Sequence, residues 1–116
     1  MQDVVQKQLV VECCLTSNVR RIRGYHEHPI SDMIQSGVKC TINTDNRFLG
    51  GTTSTEEILH AVRDVGLGWD AVKECLMNGA NGTFYWQVHG CNDERERWIT
   101  EFEAKIDRVF SDQEVR

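Results

Sequence analysis

Val38-Lys39-Cys40-Thr41-Ile42-Asn43-Thr44-Asp45-Asn46-Arg47 is the stretch whose reading decides the fold. Val38, Cys40 and Ile42 alternate with Lys39, Thr41 and Asn43, and this period of two predicts a strand with one face against apolar neighbours. The polar cluster from Thr44 to Arg47 follows at its carboxyl end. In parallel α/β folds, ligands and catalytic groups gather at the carboxyl ends of the strands, so Asp45 stands where chemistry is placed. Asp-Asn is also ordinary turn material, because short polar side chains bond the backbone groups that a ladder releases. Spacing alone leaves both readings of Asp45 open.

The flanking segments extend the strand into a βαβ unit. Gln2 to Gln8 reads as the end of a helix. Leu9, Val10 and Val11 begin an apolar run through Glu12 to Cys14, the pattern of a strand buried on both faces. A chain that opens so near a buried strand is expected to be a piece of something longer. Leu15 to Glu27 is polar and irregular, a loop of the length that usually carries function. Pro29 to Ser36 predicts a short helix with Pro29 at its first position, Ile30, Met33 and Ile34 on one side, and Gly37 closing it. Strand, helical connection and strand imply a parallel pair.

Downstream, Gly50 and Gly51 permit a turn, and Ser54 with Glu57 has the spacing of a capping box. Ile58, Leu59, Ala61, Val62 and Val65 form the apolar side of the helix that follows, which Gly66 stops. A second helix from Trp69 to Asn78 turns Val72, Cys75 and Leu76 inward, with Gly79 behind it. From Asp93 to Phe110, Trp98, Phe102, Ile106 and Phe110 recur at one-turn spacing, predicting an amphipathic terminal helix whose stripe faces its own core. Ser111 to Arg116 is expected to fray.

Composition narrows the class. The chain has 116 residues, 40% hydrophobic and 27% charged, the balance of a folded globular protein. Lys and Arg number 13 against 18 Asp and Glu, for a net charge of −5. The only basic cluster, Arg20, Arg21 and Arg23, reads as a solvated loop, and nucleic-acid binding, which needs a positive field, is not expected. Five cysteines (Cys13, Cys14, Cys40, Cys75, Cys91) contain no Cys-x-x-Cys pair, which predicts reduced thiols in a cytoplasmic protein rather than a disulfide framework or a thiolate zinc site. Neither a membrane span nor a secretory signal is visible.

The histidines invite a metal reading. In His26-Glu27-His28 two imidazoles stand two apart, a spacing that shares a face on a strand but not beside a helix start such as Pro29. His28 is therefore expected to flank the helix, and His60 and His89, without nearby partners, to pack or lie at the surface. Phe84, Tyr85 and Trp86 lack basic neighbours and read as core rather than as a base-stacking platform.

Two ordered motifs carry a resemblance. Glu12-Cys13-Cys14-Leu15-Thr16-Ser17-Asn18 and His28-Pro29, followed at the right separation by Asn43-Thr44-Asp45-Asn46-Arg47 and Thr52-Thr53-Ser54, resemble the C-terminal part of the adenosine deaminase family, from about Val10 to Phe84. That resemblance implies a zinc-dependent (β/α)8 barrel that hydrolyses adenosine to inosine and ammonia. A complete barrel takes about 250 residues, so the fold class expected here is α/β, an incomplete TIM barrel comprising its last two parallel strands and the following helices. One partial domain over residues 1–116 is expected, with the terminal helix at about 93–110.

By position in the family motif, Asp45 is the zinc ligand and Asn46 the residue that contacts the purine. An amide donates a hydrogen bond to a ring nitrogen at any pH, whereas a carboxyl group at that place has to be protonated first. Where the family has Cys-Pro-Thr-Ser-Asn this chain has Cys14-Leu15-Thr16-Ser17-Asn18, losing a fixed φ at the strand exit. The family's His-x-His, its His-Ala-x-Glu with the general acid, and its later catalytic histidine have no counterpart here, so no catalytic residue beyond Asp45 is expected in this segment. The partners implied are a small-molecule substrate, adenosine or adenine, and an N-terminal barrel fragment or a second copy. Adenine deamination, and a non-catalytic fragment that associates with a barrel partner, are the alternative readings.

Overall fold

Two short parallel strands organise the first part of the chain in the computed structural model, which describes residues 2–19, 22–86 and 92–114. β1 (Val10–Cys13) pairs with β2 (Lys39–Ile42), Val11 opposite Cys40 and Cys13 opposite Ile42. The Asn43 N–H donates to the Cys13 carbonyl at 2.8 Å and carries the ladder one step further. Alternation puts Val11, Cys13, Cys40 and Ile42 on one face, where Cys13 and Cys40 are buried. The opposite face carries Val10, Glu12 and Lys39, all exposed, and Thr41, which is buried. β1 is thus covered on one side, not on both. Its apolar run meets a helix layer on the Cys13 face only, and Leu9 stays 51% and Val10 39% exposed.

The connection between the strands is more ordered than its composition implied. α1 (Gln2–Gln6) precedes β1. Directly after β1, α2 (Leu15–Val19) forms a helical turn, followed by a 3-10 turn at Tyr25–Glu27 and α3 (Ile30–Gln35). Leu15 is fully buried at the first position of α2. That position tolerates proline, because its N–H has no helical partner, so leucine replaces the family's proline without rerouting the chain. Pro29 stands one step before α3, its carbonyl accepting the Met33 N–H at 2.9 Å, and Gly37 ends the unit at φ 89°.

After β2 come α4 (Arg47–Gly50), α5 (Ser54–His60), a π-helical turn at Ala61–Val65 that ends at Gly66 (φ 88°), and α6 (Trp69–Gly82). The cap of α5 differs from the expected Ser54–Glu57 box. Thr53 is the N-cap, and its hydroxyl accepts the Glu56 N–H at 3.2 Å. Glu57 is fully buried instead. Both are good N-caps, serine slightly the better by local rules, and Glu57, one turn before buried Ala61, lies on the same side of the helix. α6 runs through Gly79 to Gly82, since one glycine costs a helix only about 1 kcal/mol.

The core of this part contains Cys13, Leu15, Ile30, Val38, Cys40, Ala61, Val72 and Cys75. Burial, reinforced by the neighbouring thiol of Cys40, pushes the Cys13 and Cys75 thiols up to about 12. They therefore pack as protonated, weakly polar hydrophobes. Among the described residues the cysteines are free. Asn78, on α6, donates its amide to the Cys40 carbonyl at 3.0 Å.

The chain divides into residues 1–78 and 79–116. In the second unit α7 (Asn92–Glu114) continues past Ser111, where fraying was expected, to Glu114. Its Trp98 stacks on Phe102 with ring centres 5.2 Å apart and meets Trp86 at 5.8 Å. Phe84 and Tyr85 are 76% and 55% exposed, against the expectation of core, because consecutive residues beyond a helix end cannot all face one side. Trp86 is half-buried, its indole N–H donating to the Ala80 carbonyl at 3.3 Å. Arg20, Arg21, His89 and Cys91 lie outside the described residues, while Arg23 is exposed. Among the described residues no helix is long and apolar enough to cross a membrane.

Ile30 has no solvent exposure. Ile30→Ala in the protein that carries this chain is expected to lose about 2–5 kcal/mol in chemical denaturation, by lost transfer energy and an unfilled cavity. An unchanged midpoint would show that Ile30 is not a core residue.

Candidate functional site at the strand ends

Parallel pairing brings the carboxyl ends of β1 and β2 side by side, and the polar residues beyond them converge. From β1 the chain enters α2, which presents Thr16, Ser17 and Asn18 on successive positions. From β2 it passes through Asn43 and Thr44 to Asp45. Asp45 has φ 59°, the left-handed region, which bends the chain back before α4. Aspartate and asparagine tolerate that region better than other non-glycine residues, because their short polar side chains bond locally.

Ser17 and Asp45 meet across the strand ends. The Ser17 hydroxyl donates to Asp45 Oδ2 at 3.0 Å, and both groups are open to solvent. Burial first, then the negative charge of Asp45, raises the Cys14 thiol above its ordinary value, which places Cys14 in the same neighbourhood. Asn46 is exposed at the start of α4. The two sequence-predicted site residues therefore lie together at the carboxyl end of β2.

Sequence reasoning missed the residues that support them. Glu57 reaches under α2 and accepts the Thr16 backbone N–H at 3.2 Å, the Thr16 hydroxyl, and the Thr52 hydroxyl at 2.9 Å. All three are donors, as an acceptor-only carboxylate requires. With the Thr16 proton committed to Glu57, the Tyr25 hydroxyl, 3.1 Å away, donates to Thr16 Oγ1. Tyr25 in turn stacks on His60 with ring centres 4.2 Å apart, and His60 Nδ1 lies 2.6 Å from Asp64 Oδ2. His60 thus has partners one helical turn away and across the fold, contrary to the expectation of a lone histidine. The sequence signal for Glu57 is a carboxylate four residues before Ala61 on an otherwise apolar helix side.

His28 holds the other end of α2. The Ile30 N–H donates to His28 Nδ1 at 3.1 Å, so the ring proton sits on Nε2, which donates to Asn18 Oδ1 at 2.9 Å. His28 is buried and His26 exposed, so His26-Glu27-His28 does not converge as a ligand pair. Among the described residues no three His, Cys, Asp or Glu side chains come together as a metal site. Asp45 offers one carboxylate, which is one ligand and not a complete zinc site.

A sequence model described as adenosine deaminase matches residues 1–99. The chain belongs to the adenosine deaminase family. It is 31% identical over 86 residues to the adenosine deaminase of Clostridium acetobutylicum, covering 72% of this chain and 26% of that protein. With the adenosine deaminase of Vibrio atlanticus it shares 41% over 66 residues, 55% of this chain and 20% of the relative. The chain thus spans about a quarter of the length of these relatives. In fold it resembles an adenine deaminase from Arthrobacter aurescens, at TM-score 0.79 and 18% identity over 92% of this chain and 32% of that one. It also resembles the N6-methyl-AMP deaminase of Arabidopsis thaliana, at TM-score 0.71 and 22% identity over 90% and 30% of the two chains. The fold is therefore that of a partial TIM barrel containing two of its parallel strands.

The His28 contacts carry a pH dependence. Burial pushes its imidazole below the ordinary 6.5, and the charge of Glu57 opposes this only in part. Between the folded value and 6.5 the unfolded chain binds more protons than the folded one. The stability due to neutral His28 is complete above pH 6.5 and is lost as pH falls through the folded value. Denaturation midpoints are expected to drop from pH 7.5 to about pH 5, and the drop is expected to be shallower in His28→Asn. Equal slopes in the two proteins would refute the role of His28.

Proposed function

We propose that this chain is the C-terminal barrel segment of a zinc-dependent hydrolase that deaminates adenosine to inosine. The observation that carries the reading is the Ser17–Asp45 hydrogen bond, which joins the two family motifs at the ends of neighbouring parallel strands. In this reading Asp45 contributes one oxygen ligand to the metal, and the remaining ligands come from other parts of the barrel. Asn46, next in the chain, binds the purine through its amide, a donor that does not depend on protonation. The free thiols among the described residues support a reducing compartment such as the cytoplasm.

Adenine is the competing substrate, favoured by the fold likeness to an adenine deaminase. Turnover of adenosine against adenine by the protein that carries this chain separates the two. A non-catalytic fragment that joins an N-terminal barrel piece or a second copy is the reading from another class, supported by the exposed Leu9 and Val10 beside the β1 edge. Deamination restored on mixing this chain with a separately expressed N-terminal piece is expected if the segments are complementary.

Asp45→Ala is expected to remove most bound zinc and activity together. Full zinc content with normal turnover would defeat the assignment. Asn46→Ala is expected to weaken purine binding by about 1–3 kcal/mol with zinc retained, the cost of leaving a buried partner unpaired. Loss of metal in that variant would show that the two roles are exchanged.

A further inference from the structure

We propose that Glu57 is a positioning residue for the Asp45 carboxylate, acting through Thr16 and Ser17. The inference rests on the reading of Asp45 as a site residue. The oxygens of Glu57 accept from Thr16 and Thr52. Two of those bonds go to one residue, Thr16, through both its backbone N–H and its hydroxyl. A residue held at backbone and side chain together has little freedom to rotate, and the next residue in the same helical turn is Ser17, the donor to Asp45 Oδ2.

The far end of that turn is held independently, by Nε2 of His28 on the Asn18 side chain. α2 has five residues, too few to be stable by its own hydrogen bonds. Besides buried Leu15, its orientation depends on these two side-chain contacts, and Ser17 lies between them. On the other side of the bond, Asp45 sits in a left-handed turn whose side chain is exposed, so solvent does not fix its carboxylate direction. Ser17 supplies that direction, and Glu57 holds Ser17. Carboxylates that ligate or orient reacting groups lose function when their supporting hydrogen bonds go, and misplacement by about 1 Å costs on the order of 100-fold.

Glutamine at position 57 keeps the size but turns one acceptor oxygen into a donor facing donors. Glu57→Gln in the protein that carries this chain is expected to lower kcat about 10- to 100-fold, and Ser17→Ala about 10-fold. The double variant is expected to be no slower than the poorer single one, because both changes break one relay. In metal-free protein, Glu57→Gln is expected to speed hydrogen exchange in peptides covering Leu15–Val19 and Asp45–Gly50 while leaving β1 and α6 unchanged. A merely structural role predicts faster exchange throughout and losses in kcat that multiply. Multiplied losses, or an unchanged kcat, overturn the relay. If Glu57→Gln does not fold, Thr16→Val, which removes the hydroxyl that Glu57 accepts, enters the same cycle with the same expectations. Asp45→Ala is measured alongside. If it is inactive while the losses multiply, the relay fails and the reading of Asp45 stands; if it is fully active, the reading of Asp45 fails.

Discussion

A carboxylate without solvent contact has to be met by donors, and the place of Glu57 on α5 therefore dictates where Thr16 and Thr52 must lie. Three chain segments are tied by that requirement: the exit of β1, the turn before α5 and α5 itself. An unmatched donor or acceptor at such a centre costs its whole desolvation energy, so the arrangement is close to all-or-none. The Tyr25 hydroxyl extends the cluster, and its ring leads through the stacked His60 to Asp64 within the π-helical turn. Polar contacts, more than apolar area, set the orientation of the short elements at this end of the strands.

The apolar core beside this cluster is built on a different principle. Cys13, Cys40 and Cys75 bury sulfur among Leu15, Ile30 and Val72, and burial keeps the Cys13 and Cys75 thiols protonated. A thiol loses little on leaving water and fills space like a small hydrophobe. The helix layer on this face holds the strands, and the polar cluster beyond their carboxyl ends is free to vary with the chemistry required there.

Asp45 shows how the two principles meet. The ladder with β1 fixes β2 as far as Asn43, and the left-handed turn at Asp45 then lifts one carboxylate out of the sheet into reach of Ser17. The likeness to a barrel structure puts this corner at the carboxyl ends of two neighbouring barrel strands, the end at which such barrels gather their functional groups. Among the described residues no three metal-ligating side chains converge at this corner.

The alternation Val38-Lys39-Cys40-Thr41-Ile42, the two motifs and the glycines at 37 and 66 were enough, by themselves, to determine a parallel βαβ unit, its helix ends and its family. These are local signals: a period of two exposes its buried face in five residues, and the positive φ that ends a helix favours glycine, as at Gly37 and Gly66. Tertiary structure alone decided which face of β1 was covered, because an apolar run reads the same whether one layer or two pack on it. It also decided that Thr53 and not Ser54 caps α5, against the slight local preference for serine, while Glu57 is buried against Thr16 and Thr52. Ser17 and Asp45 are 28 residues apart, and Thr16 and Glu57 are 41. No pattern within a single element encodes such pairs, because they exist only once the strands lie side by side and the helix closes over their ends.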